Sequence, residues 1–255
     1  MSRTIHVHLL PELIPQGAVD NQSAVIVDVL RASSTIVTAF HNGAAAVIPC
    51  GEPDQALLLK NQSGGTLLLG GERGGVRIPG FDLGNSPAEY SPQTVSGRRL
   101  AFTTTNGTRA LLKCKHAADI AIGCLLNLSA LTAWLQRSTR QIHIVCAGTD
   151  GIVSGEDVLA AGAMVETLTS HAQSPPTLND SAALARNALL QILNGTANAA
   201  ETLAQAFADT QGGRNLIAIG QHLDLPLCAA LNSSNWVPFY DFNTGELRAE
   251  QMPVA

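Results

Sequence analysis

AVIVDVLRASSTIVTAF, residues 24–40, carries the pattern that decides the fold. From Ala24 to Leu30 it is apolar except for Asp28, and a short apolar run bounded by polar residues reads as a strand buried on both faces. Ser33 or Ser34 then offers an N-cap hydroxyl for a helix to about His41, closed by Gly43 where a left-handed residue costs least. Similar runs recur at Ile5 to Leu10, Ala45 to Pro49, Thr66 to Leu69, Leu100 to Thr104, Ile120 to Gly123 and Gln141 to Ala147. Between them lie helical patterns: one opening at Asn106, one carrying Leu128, Leu131 and Leu135, and an Ala-rich one over Gly155 to Leu168. The alternation predicts an α/β fold, a largely parallel or mixed sheet with helices on both faces.

After Leu168 the character changes. SHAQSPPTLND is a polar, Pro-interrupted connector. Beyond it come helical patterns at Ser181 to Leu193 and Thr196 to Ala208, then GGRNLIAIG, then Trp236 to Arg248 with a hairpin turn at Asn243 to Gly245. We expect a single domain over 1–255, with sub-lobes at 1–170 and 171–255, the second helix-rich and ending in the hairpin. The stretch from Gly70 to Arg99 holds seven glycines and three prolines and is longer than an ordinary connection, which marks a functional loop. Ile78, Phe81 and Leu83 read as anchors pinning it to the body.

With 255 residues and 45% apolar content, the chain can bury a full core. A formal charge of -5 with 15 Lys and Arg excludes the basic footprint that nucleic acid requires. No apolar run reaches the roughly 20 residues that span a bilayer, and MSRTIHVHLLPEL lacks the regions of a signal peptide, so a cytoplasmic protein without membrane partners is expected. Five cysteines without CxxC spacing fit buried thiols in a reducing compartment. A homodimer is the expectation from base rates, with GGRNLIAIG and WVPFYDF as apolar interface candidates.

Candidate chemistry gathers where strands end, since ligands bind open α/β sheets beyond the carboxyl ends of the strands. After the first quoted strand, Asp28 offers oxygen to a hard cation, while Arg31, Ser33 and Ser34 offer donors to a phosphate; equally, Asp28 could cap a turn and pair with Arg31. In LLLGGERGGVRIPGFDLGNSPAEY, residues 67–90, Glu72, Arg73, Arg77, Asp82, Asn85 and Ser86 stand among glycines that let backbone approach a ligand. LAFTTTNGTRALL, residues 100–112, puts Thr104, Thr105, Asn106, Gly107, Thr108 and Arg109 at a helix start, an anion cradle without the GK[ST] of a P-loop. In IHIVCAGTDGIVSGEDVLAAGAM, residues 142–164, Glu156 and Asp157 open a helix and could face Asp28 across a magnesium site. Cys146 ends that strand at substrate level, but CxxxxxR is missing, since Ile152 holds the sixth position, so a nucleophilic role is disfavoured. The HVH at His6 to His8 reads as alternating strand residues rather than metal ligands.

Taken together, VDVLRASSTIVTAF, GGERGGVRIPGFDLGNSP, TTTNGTRAL and VCAGTDGIVSGEDVLAAGA, with GGRNLIAIG and DLPLCAALNSSNWVP later, resemble the 2-phosphosulfolactate phosphatase family. The resemblance implies an α/β fold particular to that family and a magnesium-dependent phosphatase of coenzyme M biosynthesis. Its reaction hydrolyses 2-phospho-3-sulfolactate to 3-sulfolactate and phosphate. Phosphate, sulfonate and carboxylate within a few atoms call for several cations and donors, which Arg31, Arg73, Arg77 and Arg109 and the Thr-rich loop supply. On this reading Asp28, Arg31 and Glu156 are catalytic. Mg²⁺ is expected on Asp28 and Glu156, with Glu72, Asp82 and Asp157 as further carboxylates. Direct attack by water is one route and a covalent phosphate on Asp28 the other, although Leu30 breaks the DxDxT pattern of haloacid-dehalogenase-like enzymes. The alternatives are a phosphatase for another small phosphorylated acid and a non-catalytic small-anion binder on the same fold.

Overall fold

The structure is a computed structural model, described over residues 3–170 and 174–253. Strands β1 (Thr4–His8), β2 (Ser23–Val27), β3 (Ala46–Pro49), β4 (Leu68–Arg73), β5 (Val76–Arg77), β6 (Arg99–Thr103), β7 (Asp119–Gly123), β8 (Ile142–Cys146), β9 (Thr177–Leu178), β10 (Trp236–Asp241) and β11 (Glu246–Gln251) form one sheet. Its order is β5-β4-β6-β3-β11-β10-β7-β2-β8-β1-β9. Every run expected from the sequence to be a strand becomes one, because each is short, apolar and flanked by breakers.

Two parallel blocks make up the sheet, β4-β6-β3 on one side and β7-β2-β8-β1-β9 on the other. The antiparallel β10–β11 hairpin joins them, with β11 pairing β3 and β10 pairing β7. WVPFYDF is therefore largely an interior strand of the sheet, since Trp236–Asp241 pairs with β11 along its length and meets β7 at Phe239 opposite Ala121. The turn expected at Asn243 to Gly245 closes this hairpin, with the Gly245 amide donating to the Asp241 carbonyl at 2.8 Å.

The helices are α1 (Ala32–His41), α2 (Pro53–Gln62), α3 (Pro92–Val95), α4 (Gly107–Lys113), α5 (Leu128–Gln136), α6 (Gly155–Ser170), α7 (Asp180–Leu193), α8 (Ala199–Ala208), α9 (Gln211–Ala218) and α10 (Asp224–Ala229). Strand β2 shows why the sheet is covered twice: Val25 and Val27 belong to one core with α5 to α8, while Ala24 and Ile26 belong to the other with α4 and much of α1. Ile78 and Phe81 pack with Leu69 and Ala56 of α2 in a third cluster, and Leu83 joins the second core. The long Gly-rich segment is thus anchored as its apolar residues suggest. Among the described residues no helix is long and apolar enough to cross a membrane.

Candidate active site

In register, Val27 of β2 stands level with Gly123 of β7 and Cys146 of β8, and Gly71 of β4 with Thr103 of β6. Their carboxyl ends therefore open together, and a cleft of about 320 Å³ lies beyond them. It is lined by Asp28 and Arg31 after β2, Glu72 and Gly75 on the β4–β5 hairpin, Thr105 and Asn106 before α4, Thr149 and Asp150 after β8, and residues of α9.

Asp28 is at the centre of the charge. It is 9% exposed, its amide donates to Ser33 Oγ at 3.0 Å, and its Oδ1 accepts from the Ala32 amide at 3.3 Å. Burial, then the neighbouring Glu72 charge, then Glu156, push its carboxyl up from 3.8 to about 7, against amide hydrogen bonds from Ala32 and Gly107. Glu72 is held on both oxygens: Oε2 accepts from the Gly75 amide at 2.7 Å, and Oε1 from the Thr105 amide at 2.9 Å and hydroxyl at 3.1 Å. It ties the hairpin to the Thr-rich loop. Gly75 makes that turn with φ of +79°, a conformation that glycine adopts at least cost.

Glu156 sits behind α9 rather than in the cleft wall. A Cβ on Gly212 would lie 2.0 Å from Glu156 Oε1, so only glycine lets the helix pass. Burial raises the Glu156 carboxyl, with hydrogen bonding from Thr210 and Ser154 working the other way, and its Oε2 has no hydrogen-bond partner.

Arg31 is 3% exposed and lines the cleft, with Nη1 on Asp224 Oδ2 at 2.7 Å and Nη2 on the Gly75 carbonyl at 2.7 Å. The reading in which Asp28 pairs with Arg31 gives way to Asp224, while Asp28 caps the first turn of α1. Ser86 donates to Asp224 Oδ1 at 2.6 Å. Asn85 faces the cleft, and its Oδ1 is buried without a partner.

Other expected residues stand elsewhere. Asp82 is bound by Lys60 at 2.7 Å and by the Leu69 amide at 2.8 Å, so it clasps the Gly-rich segment to α2 and β4 instead of facing a cation. Asp157 accepts from the backbone amides of Val29 at 2.8 Å and Gly148 at 3.0 Å, which makes it a brace between the β2 and β8 exits, and unlike Asp28 and Glu72 it does not line the cleft. Arg109 points away and pairs with Glu12 at 3.4 Å. Arg73 bonds the Thr103 hydroxyl and the Gly51 carbonyl, each at 3.0 Å. Arg77 lies on a neighbouring hollow that shares Arg31 and Asn85 with the cleft. Ser34 donates to the Val29 carbonyl at 2.8 Å and Thr108 to the Cys50 carbonyl at 3.4 Å. Ser33 and Thr104 line a small apolar hollow beside Gly107, below the main cleft. Cys146 is wholly buried in the core, its thiol pushed far up first by burial and then by Asp157, and it does not line the cleft.

Sequence reasoning missed Asp224, Asn215 and the role of Gly212. Two adjacent glycines lower helix propensity and conceal α9, while Asp224 becomes part of the site only through a contact spanning 193 positions. No group of three or more His, Cys, Asp or Glu among the described residues is arranged to hold a metal ion alone. Asp28 and Glu72 both line the cleft, and the Glu72 charge adds to the upward push on Asp28; a pair of carboxylates suits a hard cation that takes its further oxygens from substrate and water.

The family model described as 2-phosphosulpholactate phosphatase matches residues 8–243. A Symbiobacterium thermophilum protein named "Probable 2-phosphosulfolactate phosphatase" is 38% identical over 227 residues, 89% of this chain and 94% of that protein. A Clostridium perfringens protein of the same name is 31% identical over 253 residues, 98% of each chain. One from Caldanaerobacter subterraneus, also so named, is 50% identical over 150 residues, which are 58% of this chain and 62% of that protein.

Proposed function

Since this chain belongs to the 2-phosphosulpholactate phosphatase family, we propose that it is a magnesium-dependent phosphoric monoester hydrolase acting on 2-phospho-3-sulfolactate. Water would enter at phosphorus, the ester P–O bond would break, and the proton would pass to the leaving alkoxide, giving 3-sulfolactate and phosphate. The observation that carries this reading is the cleft in which Asp28, Glu72 and Arg31 meet at the carboxyl ends of the parallel strands.

Asp28 and Glu72 would hold Mg²⁺ at the cleft wall, with Glu156 adding negative potential from behind α9. When bound, the cation would polarise the phosphoryl group and offset charge on its oxygens. Arg31 has two of its five N–H donors committed to Asp224 and Gly75, and the remainder would bind phosphate oxygens. Thr105, Asn106 and the Asn85 amide would orient the acid end of the substrate. Direct attack by water is the proposed route. In ¹⁸O water the label should appear in released phosphate, which reports P–O cleavage on either route; Asp28→Asn separates them, keeping a trace of Mg²⁺-dependent turnover under direct attack and none if the phosphate passes through Asp28.

Phosphate release from 2-phospho-3-sulfolactate and a panel of phosphorylated carboxylic acids, with Mg²⁺ and with EDTA, tests the whole reading. We expect the sulfonated ester to be preferred and EDTA to abolish turnover. Preference for another member moves the substrate assignment, and no turnover on any member sinks the enzyme reading. A cytoplasmic homodimer belongs to the same proposal, and light scattering on the purified chain reads its oligomeric state.

A further inference from the structure

We propose that Asp224 is a positioning residue that aims the Arg31 guanidinium into the cleft and, through Arg31, fixes the Glu72 hairpin; this rests on the phosphatase reading above. Asp224 comes 193 positions after Arg31, at the start of the short helix α10, and is 2% exposed. Ser86 fixes its Oδ1 at 2.6 Å, so the Oδ2 that meets Arg31 Nη1 at 2.7 Å is itself held in place. From Arg31 the chain of contacts runs on through Nη2 to the Gly75 carbonyl at 2.7 Å, and from the Gly75 amide to Glu72 Oε2 at 2.7 Å. Glu72 Oε1 closes it on the Thr105 amide at 2.9 Å. Four separate segments of the cleft are thus set by one buried carboxylate.

The geometry distinguishes aiming from simple charge pairing. A carboxylate that meets a guanidinium with both oxygens occupies a fork of two N–H donors, whereas Asp224 gives Arg31 one oxygen and Ser86 the other. That leaves donors of Arg31 for a second anion. An ion pair serving only stability could be broken with loss of fold and no specific kinetic consequence. A positioning carboxylate instead makes the kinetic effect of its own removal depend on the presence of Arg31.

The test is a double-mutant cycle of Asp224→Asn and Arg31→Gln in the full chain, with kcat and KM measured on 2-phospho-3-sulfolactate and melting curves recorded for each variant. Asp224→Asn should lower kcat/KM about 100-fold, mostly through kcat, as expected for a misplaced group. The double variant should be no slower than Arg31→Gln alone. A folded Asp224→Asn enzyme within about threefold of the unsubstituted chain, or losses that multiply, overturns the proposal. Should Asp224→Asn show no cooperative melt, Ser86→Ala takes its place in the cycle, with a loss of about tenfold expected only where Arg31 is present. If the unsubstituted chain fails to turn over the ester, the phosphatase reading falls. The same cycle read on inorganic phosphate affinity by calorimetry then decides Asp224: coupled losses support it and independent ones overturn it.

Discussion

Asp28 shows how one side chain can serve a site at the expense of the fold around it. Its carboxyl, raised from 3.8 to about 7, keeps a proton in the folded chain over a range where the unfolded chain has lost it. Stability contributed by that proton is present at low pH, falls as pH rises from about 4, and is gone above about 7. Without a cation, then, the folded state at pH 8 holds an anion against burial and against Glu72 and Glu156. Asp28→Asn removes that anion and keeps an oxygen for the Ala32 amide. We expect it to be more stable than the unsubstituted chain in EDTA at pH 8 by on the order of 3 kcal/mol, and Mg²⁺ to stabilise it far less. Turnover should drop by about 10³-fold or more. Urea unfolding with and without Mg²⁺ checks the first two outcomes. A variant less stable than the parent in EDTA would show that Asp28 holds the loop rather than straining it. The Asp157 carboxyl is pushed up as well, by burial and then by Glu156 and Asp28, but its oxygens also hold two backbone amides of the strand exits. Asp157→Ala strands the Val29 and Gly148 N–H groups, and a loss of about 2–5 kcal/mol is expected in EDTA and Mg²⁺ alike, read by the same unfolding curves.

At the level of elements, what could be read from sequence follows from how local the signal is. The parallel strands were legible because burial on both faces leaves a continuous apolar run, as in Val25 to Val27. The loops at their carboxyl ends were legible for the same reason, since polar residues there have no local packing role. Helix α9 was not, because its amphipathic face is interrupted by Gly212 and Gly213, which are there for close approach rather than propensity. A Cβ on Gly212 would meet Glu156 Oε1 at 2.0 Å and one on Gly213 would meet the Phe207 carbonyl at 1.8 Å. Gly212→Ala should therefore push α9 off α6 even though alanine is the better helix former. We expect about 1–3 kcal/mol of destabilisation and a loss in kcat/KM of at least about tenfold from the shifted cleft wall. Thermal melts and steady-state kinetics read the two separately, and an unchanged kcat/KM would mean that α9 does not shape the site. Illegible for another reason was the place of the β10–β11 hairpin. Its alternation and turn were visible, but its insertion between β3 and β7 rests on pairings such as Leu247 with Val47 and Phe239 with Ala121, which no local pattern encodes.

For the whole molecule, groups of opposite sign make stability depend on pH in opposing ways. Raised carboxyls at Asp28, Glu156 and Asp157 favour acid. Against them stands a histidine stack on β1 and β8, where His8 Nε2 lies 2.9 Å from His143 Nδ1 and the rings of His6 and His143 overlap at 4.6 Å between centroids. Burial lowers His8 from 6.5 to about 4, with His6 adding to it, and burial with His6 and His8 lowers His143 to about 3. Both rings are neutral in the fold and charged in the unfolded chain below 6.5. Their contribution is therefore complete above 6.5 and is lost as pH falls toward 4 and 3. Each ring costs about 1.4 kcal/mol per pH unit within that window. His143→Asn leaves a partner for His8 Nε2 but no ring to protonate. Its unfolding free energy, measured in urea from pH 7.5 to 4.5, should be lower than the parent's at pH 7.5 and converge on it as the pH falls. The carboxyls are common to both proteins, so they cancel in the difference. A constant gap across the range would mean that the His143 ring packs without titrating, and that acid unfolding begins elsewhere.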